Sequence, residues 1–95
     1  MKDGFRIRAA RWQDDGPLLS RVRRTVFIEE QRVPEELEWD EFDTACHHVL
    51  ALDATGEPIG TGRIGANGHI GRMAVVRQYR RQGVGSAILN ALLEY

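Results

Sequence analysis

Val75-Val76-Arg77-Gln78-Tyr79-Arg80-Arg81-Gln82-Gly83-Val84-Gly85-Ser86 is the stretch whose reading decides the fold of this chain. An apolar, β-branched run breaks into a basic loop carrying two glycines. The loop opens into a helical pattern of Val84, Ile88, Leu89, Leu92 and Leu93. A strand–loop–helix junction of this composition is a receptor for phosphate. Glycines let backbone N–H groups turn toward one point and let an anion approach the main chain. The first turn of the helix adds N–H groups without partners and the positive end of a dipole. Arg77, Arg80 and Arg81 supply long-range attraction for the same anion. This segment is therefore expected to hold a diphosphate. The plainer alternative is a glycine turn with its arginines on a solvated face.

Spacing narrows the kind of phosphate ligand. A P-loop needs Gly-x-x-x-x-Gly-Lys-Ser/Thr, and neither Gly-Lys-Ser nor Gly-Lys-Thr occurs. Gly60-Thr61-Gly62-Arg63-Ile64-Gly65 satisfies G-x-G-x-x-G to the letter. Its context is wrong for a dinucleotide, because it runs into Asn67-Gly68 and a further strand-like segment instead of a helix.

The spacing that fits is Arg80-x-x-Gly83-x-Gly85, preceded by Met73-Ala74-Val75 and followed by Ser86-Ala87-Ile88-Leu89. At these residues the chain resembles the acetyl-CoA-binding motif of the GNAT acetyltransferase superfamily. A second block is Val26-Phe27-Ile28-Glu29-Glu30-Gln31-Arg32-Val33-Pro34, continued by Glu35-Glu36-Leu37-Glu38-Trp39-Asp40-Glu41-Phe42-Asp43. It is similar to the ElaA-like subgroup of that superfamily. The resemblance implies an α/β (α+β) fold with a mixed, mostly antiparallel sheet flanked by helices. It implies acetyl-CoA as cofactor and direct transfer of acetyl to a primary amine, small-molecule or peptide, in a ternary complex. Met73, Ala74 and Val75 would pair with the pantetheine arm like an added strand, and Arg80 occupies the motif's own arginine position. Arg81 stands where many family members have glycine. Set against the family, the chain looks like the first two-thirds of one domain spanning residues 1–95, without the C-terminal strands. The rival expectation is a non-catalytic CoA-binding or dimer-forming half-domain, with a homodimer made through an exposed strand edge.

Bulk properties agree with one small domain. Ninety-five residues bury roughly two-thirds of their unfolded surface. With 42% hydrophobic and 28% charged residues and a net charge of −1, the chain is unlike a nucleic-acid binder. No apolar run reaches membrane-spanning length. The start lacks a secretory core, and the single cysteine, Cys46, forms no internal disulfide. Both fit a cytoplasmic setting.

Alternation predicts a strand over residues 5–9. Asp14 or Asp15 would cap a helix with Pro17 in its first turn. Leu18, Leu19, Val22, Val26 and Phe27 would line its inner face, with Arg21, Arg23 and Arg24 mostly outward. A short acidic turn or helix follows Pro34. Strands are expected at 48–52, 58–64 and 70–76, the last two joined by an Asn67-Gly68 hairpin. These three are expected to run antiparallel before the final helix.

The amine must shed its ammonium proton before attacking a thioester, so base candidates matter. Glu30 ends the first helix, where the dipole disfavours a carboxylate, so either acceptor binding or an arginine partner must explain it. His47 and His48 adjoin a strand start, and alternation sends only one of them inward. The resemblance favours one of the pair as a site residue without choosing. Glu35, Glu36, Glu38, Asp40, Glu41 and Asp43 place six carboxylates in nine residues around Leu37, Trp39 and Phe42. They form either an acidic wall for a cationic amine or a surface loop plugged by its apolar residues. No metal site follows from this run, because it holds no histidine or cysteine. His69 is expected to be exposed, Cys46 to be a small buried group, and Trp12 and Trp39 to pack.

Overall fold

The computed structural model of the chain describes residues 4–95. Four strands, β1 (Phe5–Ala10), β2 (His47–Asp53), β3 (Pro58–Ile64) and β4 (Ile70–Val75), form one sheet in the order β1-β2-β3-β4. Every neighbouring pair is antiparallel. The first strand thus joins the three expected to pair. The architecture is the α+β arrangement anticipated, and the strands begin and end within a residue of the predicted limits.

Helices α1 (Trp12–Arg23) and α3 (Val84–Leu93) cover opposite faces of the sheet. Strand alternation makes this possible. Val49 and Ala51 of β2 point into one core with Ile59, Val84, Ile88 and Leu92. Leu50 and Leu52 point the other way, into a core with Ala10 and Leu19. Close approach of α3 depends on Gly60 and Gly62. A Cβ on Gly62 would lie 2.9 Å from both Ile88 Cγ2 and Leu92 Cδ1, and one on Gly60 would lie 2.9 Å from Ile88 Cδ1. The literal G-x-G-x-x-G is therefore a seat for a helix.

Several expectations change on folding. Neither Asp14 nor Asp15 is the N-cap of α1; Arg11 takes that position. Asp15 instead lies inside the first turn, accepts from the Arg11 N–H at 3.2 Å and pairs with Arg8 at 2.9 Å. Beyond Arg23 the helix widens into a π-helical continuation, Arg24–Glu30, which the 3.6-residue period did not announce. Its end is marked by Gln31 N–H donating to Val26 O and Val33 N–H to Phe27 O. Arg23 is not outward: it is 1% exposed.

The segment between the π-helix and β2 holds α2 (Glu35–Glu38) and a 3-10 turn, Glu41–Ala45. Three of its carboxylates, Glu38, Asp40 and Asp43, are drawn inward. Arg23 donates to Glu38 Oε2 and Asp43 Oδ1, both at 2.7 Å, and its guanidinium lies 5.5 Å from the Trp12 ring centroid and 5.0 Å from that of Trp39. Arg63 of β3 reaches Asp40 and Asp43, and Arg72 of β4 reaches Glu38 and Asp40. Leu37 and Phe42 meanwhile stand 67% and 60% exposed. The acidic run is thus neither a free anionic wall nor a loop plugged by its apolar residues. It is a strap whose inner carboxylates, Glu38, Asp40 and Asp43, are bound to three arginines, because a charge removed from water must be paired, while Glu35, Glu36 and Glu41 stay exposed.

Candidate functional site

β4 ends where the site begins. A bulge interrupts its pairing with β3, since Thr61 faces Ala74 while Arg63 faces Gly71. Arg72 lies at this irregularity with φ +52°, in the left-handed region, and its side chain is held by the acidic strap. Past the bulge, Val76 N–H donates to Ile59 O at 2.9 Å. Antiparallel alternation then turns the N–H and C=O of Val75 away from β3, toward the free edge of the sheet. Among the described residues β4 has no neighbour on that edge. Met73, Ala74 and Val75 therefore offer an open template for an extended chain.

A 3-10 turn, Arg77–Tyr79, leads from β4 into the loop. Arg81 adopts φ +65° and Gly83 φ +89°. Gly83 is the N-cap of α3 and has no side-chain cap. Val84 is buried in the α3 core and anchors the helix start. The amides of Val84, Gly85 and Ser86 occupy the first turn, where no intrahelical carbonyl exists to receive them; the first intrahelical bond is Ala87 N–H to Gly83 O, at 3.0 Å. A Cβ on Gly83 would meet nothing within 4 Å, and one on Gly85 only Val75 Cγ2 at 3.8 Å. The space above the loop is open. The helix N-terminus and the free strand edge meet at this junction.

The side chains distribute differently. Arg80 does not reach over the loop. It makes a bidentate pair with Glu30, Nη1 to Oε2 and Nη2 to Oε1, each 2.7 Å, and its Nε donates to Val75 O at 2.8 Å. Arg77 adds a longer contact to Glu30 at 3.4 Å. These arginines, Arg80 first, hold the Glu30 carboxyl down to about 2, and Glu30 in turn raises Arg80. Arg77 and Arg81 are exposed. Tyr79 packs against the α3 core and its hydroxyl lies 3.4 Å from Asp53 Oδ2.

His47 and His48 point to opposite faces, as alternation requires. His48 is 2% exposed, and its Nε2–H donates to Asp43 O at 2.8 Å. Burial lowers its pKa, so the ring is held neutral. His47 is half-buried and stacked on Tyr95, with centroids 3.7 Å apart. It stands on β2, two strands and so about 10 Å from β4. His69 is exposed, as expected. Cys46 is half-buried, its thiol pushed up by burial, and it lines an apolar cavity of about 420 Å³ with Phe42, Ala45 and Ala66. No group of residues able to hold a metal ion occurs among the described residues.

Sequence reasoning missed Arg23, Arg63 and Arg72 as partners of the acidic run. The acids of residues 35–43 and the arginines elsewhere were visible, but which pairs meet is a tertiary matter.

A family model described as "Acetyltransferase (GNAT) family" matches residues 9–95. The chain belongs to the GNAT acetyltransferase family. It is 42% identical over 80 residues to Bacillus subtilis YyaT, an uncharacterized protein, covering 78% of this chain and 53% of that one. It is 38% identical over 74 residues to the B. subtilis uncharacterized N-acetyltransferase YjcF, covering 75% and 52%. This GNAT chain thus spans about half the length of the curated relatives it matches. A solved Pseudomonas aeruginosa acyl-CoA N-acyltransferase superposes with a TM-score of 0.81 at 24% identity, over 96% of this chain and 69% of that one, and supports the fold.

Proposed function

We propose that this GNAT chain carries the cofactor-binding part of an N-acetyltransferase, which passes acetyl from acetyl-CoA directly to a primary amine of a small molecule or peptide. One observation supports the reading above the rest: an uncapped helix N-terminus meets the free edge of β4. In this proposal the amides of Arg81, Gln82, Gly83, Val84, Gly85 and Ser86 take the diphosphate. The outward groups of Met73 and Val75 pair with the arm, with Ala74 between them fixed to β3. The cofactor supplies an activated acyl group as a thioester. Held by these residues, that thioester would give its acyl group to the amine, the amine's proton would pass to solvent and the freed sulfur would take one up.

The chain's own part is chiefly placement, which can account for much of such a rate, since effective molarities reach about 10⁵ M. Of the three base candidates, Glu30 is held as a carboxylate of very low proton affinity and His48 is buried. His47 is too far from β4 for a direct hydrogen bond to an amine there. We read all three as structural or positioning groups. We also assign the chain to the ElaA-like subgroup, on the resemblance of residues 26–43. A cytoplasmic location completes the reading, in keeping with its single free cysteine. The competing half-domain reading is favoured only by the open β4 edge.

Calorimetry with acetyl-CoA, joined to thiol release with a panel of amines, tests this. Saturable cofactor binding with amine-dependent thiol release is expected. Gly83→Val is expected to remove binding, because φ +89° is costly for a β-branched residue. Binding without release for any amine would favour the half-domain. Unchanged affinity in Gly83→Val would overturn the loop assignment.

A further inference from the structure

We infer that Glu30 and Arg80 form a latch that sets where the cofactor arm can begin to pair with β4, and that Glu30 is a positioning residue acting through Arg80. The inference rests on the cofactor reading above and deepens it.

The latch joins segments far apart in sequence: the end of the π-helix, the last residue of β4 and the entry to the phosphate loop. Arg80 commits three of its donors, two to Glu30 and one to Val75 O, all within 2.8 Å. That carbonyl is the last outward acceptor on the β4 edge. With Arg80 upon it, the Val75 carbonyl keeps one lone pair and a fixed direction, and an arm laid along the edge meets the guanidinium at this point. An added strand that slips by one residue presents every group to the wrong face. The guanidinium, held there by Glu30, stands in the way of that slip toward the loop. Bidentate, charge-assisted bonds suit the task, because they fix direction as well as distance.

Pairing also cancels the Arg80 charge. The attraction felt by an arriving diphosphate then falls to Arg77 and Arg81, which are exposed and hold no bidentate partner. Arg80 shapes the bound state, whereas Arg81 and Arg77 govern the approach.

Two measurements on the full chain separate this from its rivals. Acetyl-CoA affinity and its salt dependence are measured for wild type, Glu30→Gln, Arg80→Gln, the double variant and Arg81→Gln. The expected result is about 3- to 10-fold weaker binding for Glu30→Gln and for Arg80→Gln, with the double variant no weaker than the worse single one. Arg81→Gln is expected to flatten the salt dependence and Arg80→Gln to leave it unchanged. Tighter binding in Glu30→Gln would mean that a freed Arg80 is a phosphate ligand, and would overturn the latch. So would multiplicative losses in the double variant. Loss of turnover and of the acidic limb of the pH profile in Glu30→Gln, at unchanged affinity, would make Glu30 the base.

The second measurement needs no cofactor. In the free protein the Arg80 Nε–H signal is expected to be protected from solvent exchange and to lose protection in Glu30→Gln. Equal exchange in both overturns the latch even if acetyl-CoA binds. Protection lost as expected, with no acetyl-CoA bound by wild type, would sink the cofactor reading and leave the ion pair standing.

Discussion

Arg81 is a non-glycine residue at φ +65° on the threshold of α3. L-residues there suffer contact between Cβ and backbone oxygen, which costs about 1–2 kcal/mol. Glycine would relieve it, at some cost in unfolded-state entropy of about 0.4–1 kcal/mol. Arg81→Gly is therefore expected to stabilise the chain by about 0.5–1 kcal/mol in urea unfolding; destabilisation would show that the arginine is held by contacts that offset the strain. The departure from the family's glycine was plain in the sequence. Its backbone consequence was not, because φ is set by the turn that the chain must complete. His48 offers a second test at this scale. Its folded pKa lies below the unfolded value of 6.5, so the unfolded chain takes up the proton first. Stability is then complete above pH 6.5 and falls as the pH drops below it. His48→Gln keeps a donor for Asp43 O and is expected to flatten the stability–pH slope that sets in as the pH falls through 6.5. A slope equal to wild type would mean that another group titrates there.

At the scale of elements, the seat of α3 is the most exacting contact. Gly62→Ala places a methyl 2.9 Å from both Ile88 and Leu92, and the helix must move or its side chains must turn. A loss of about 1–3 kcal/mol is expected. Leu92→Ala in the same chain should recover part of it, because the bulk removed lies where the methyl arrives; additive losses would show that the two do not share space. The helix, the hairpin and the glycine loop were all legible beforehand, since each follows from local chemistry: a 3.6-residue apolar period, an Asn-Gly turn, a β-branched run. The π-helical turn at Arg24–Glu30 was not legible. It adds an extra residue per turn without disturbing the apolar spacing enough to show, and it carries Glu30 to Arg80.

For the molecule as a whole, the strap of residues 35–43 is held by charges in its interior. Arg23, 1% exposed, is central to it. Replacing Arg23 by alanine leaves Glu38 and Asp43 buried without that partner. The expected cost is about 3–5 kcal/mol, a large share of the 5–15 kcal/mol that stabilises a typical domain. Thermal unfolding should show a collapse in midpoint or no cooperative transition. A loss under about 1 kcal/mol would mean that the strap can swing out and solvate its acids. This network also explains why the acidic run misled on either simple reading. Glu38, Asp40 and Asp43 look solvated when their partners are unknown, and Arg23, Arg63 and Arg72 come from three different elements.

Local rules determined the strand limits, the hairpin, the glycine junction and the membership of each apolar face, because those depend on neighbours within a few residues. Tertiary structure decided which charges meet. Glu30 and Arg80 lie 50 positions apart, and nothing in their own surroundings names one as the other's partner. Pairing across such a distance is fixed only once sheet and helices have packed, when an ion drawn from water must accept the counter-ion that the fold has placed beside it.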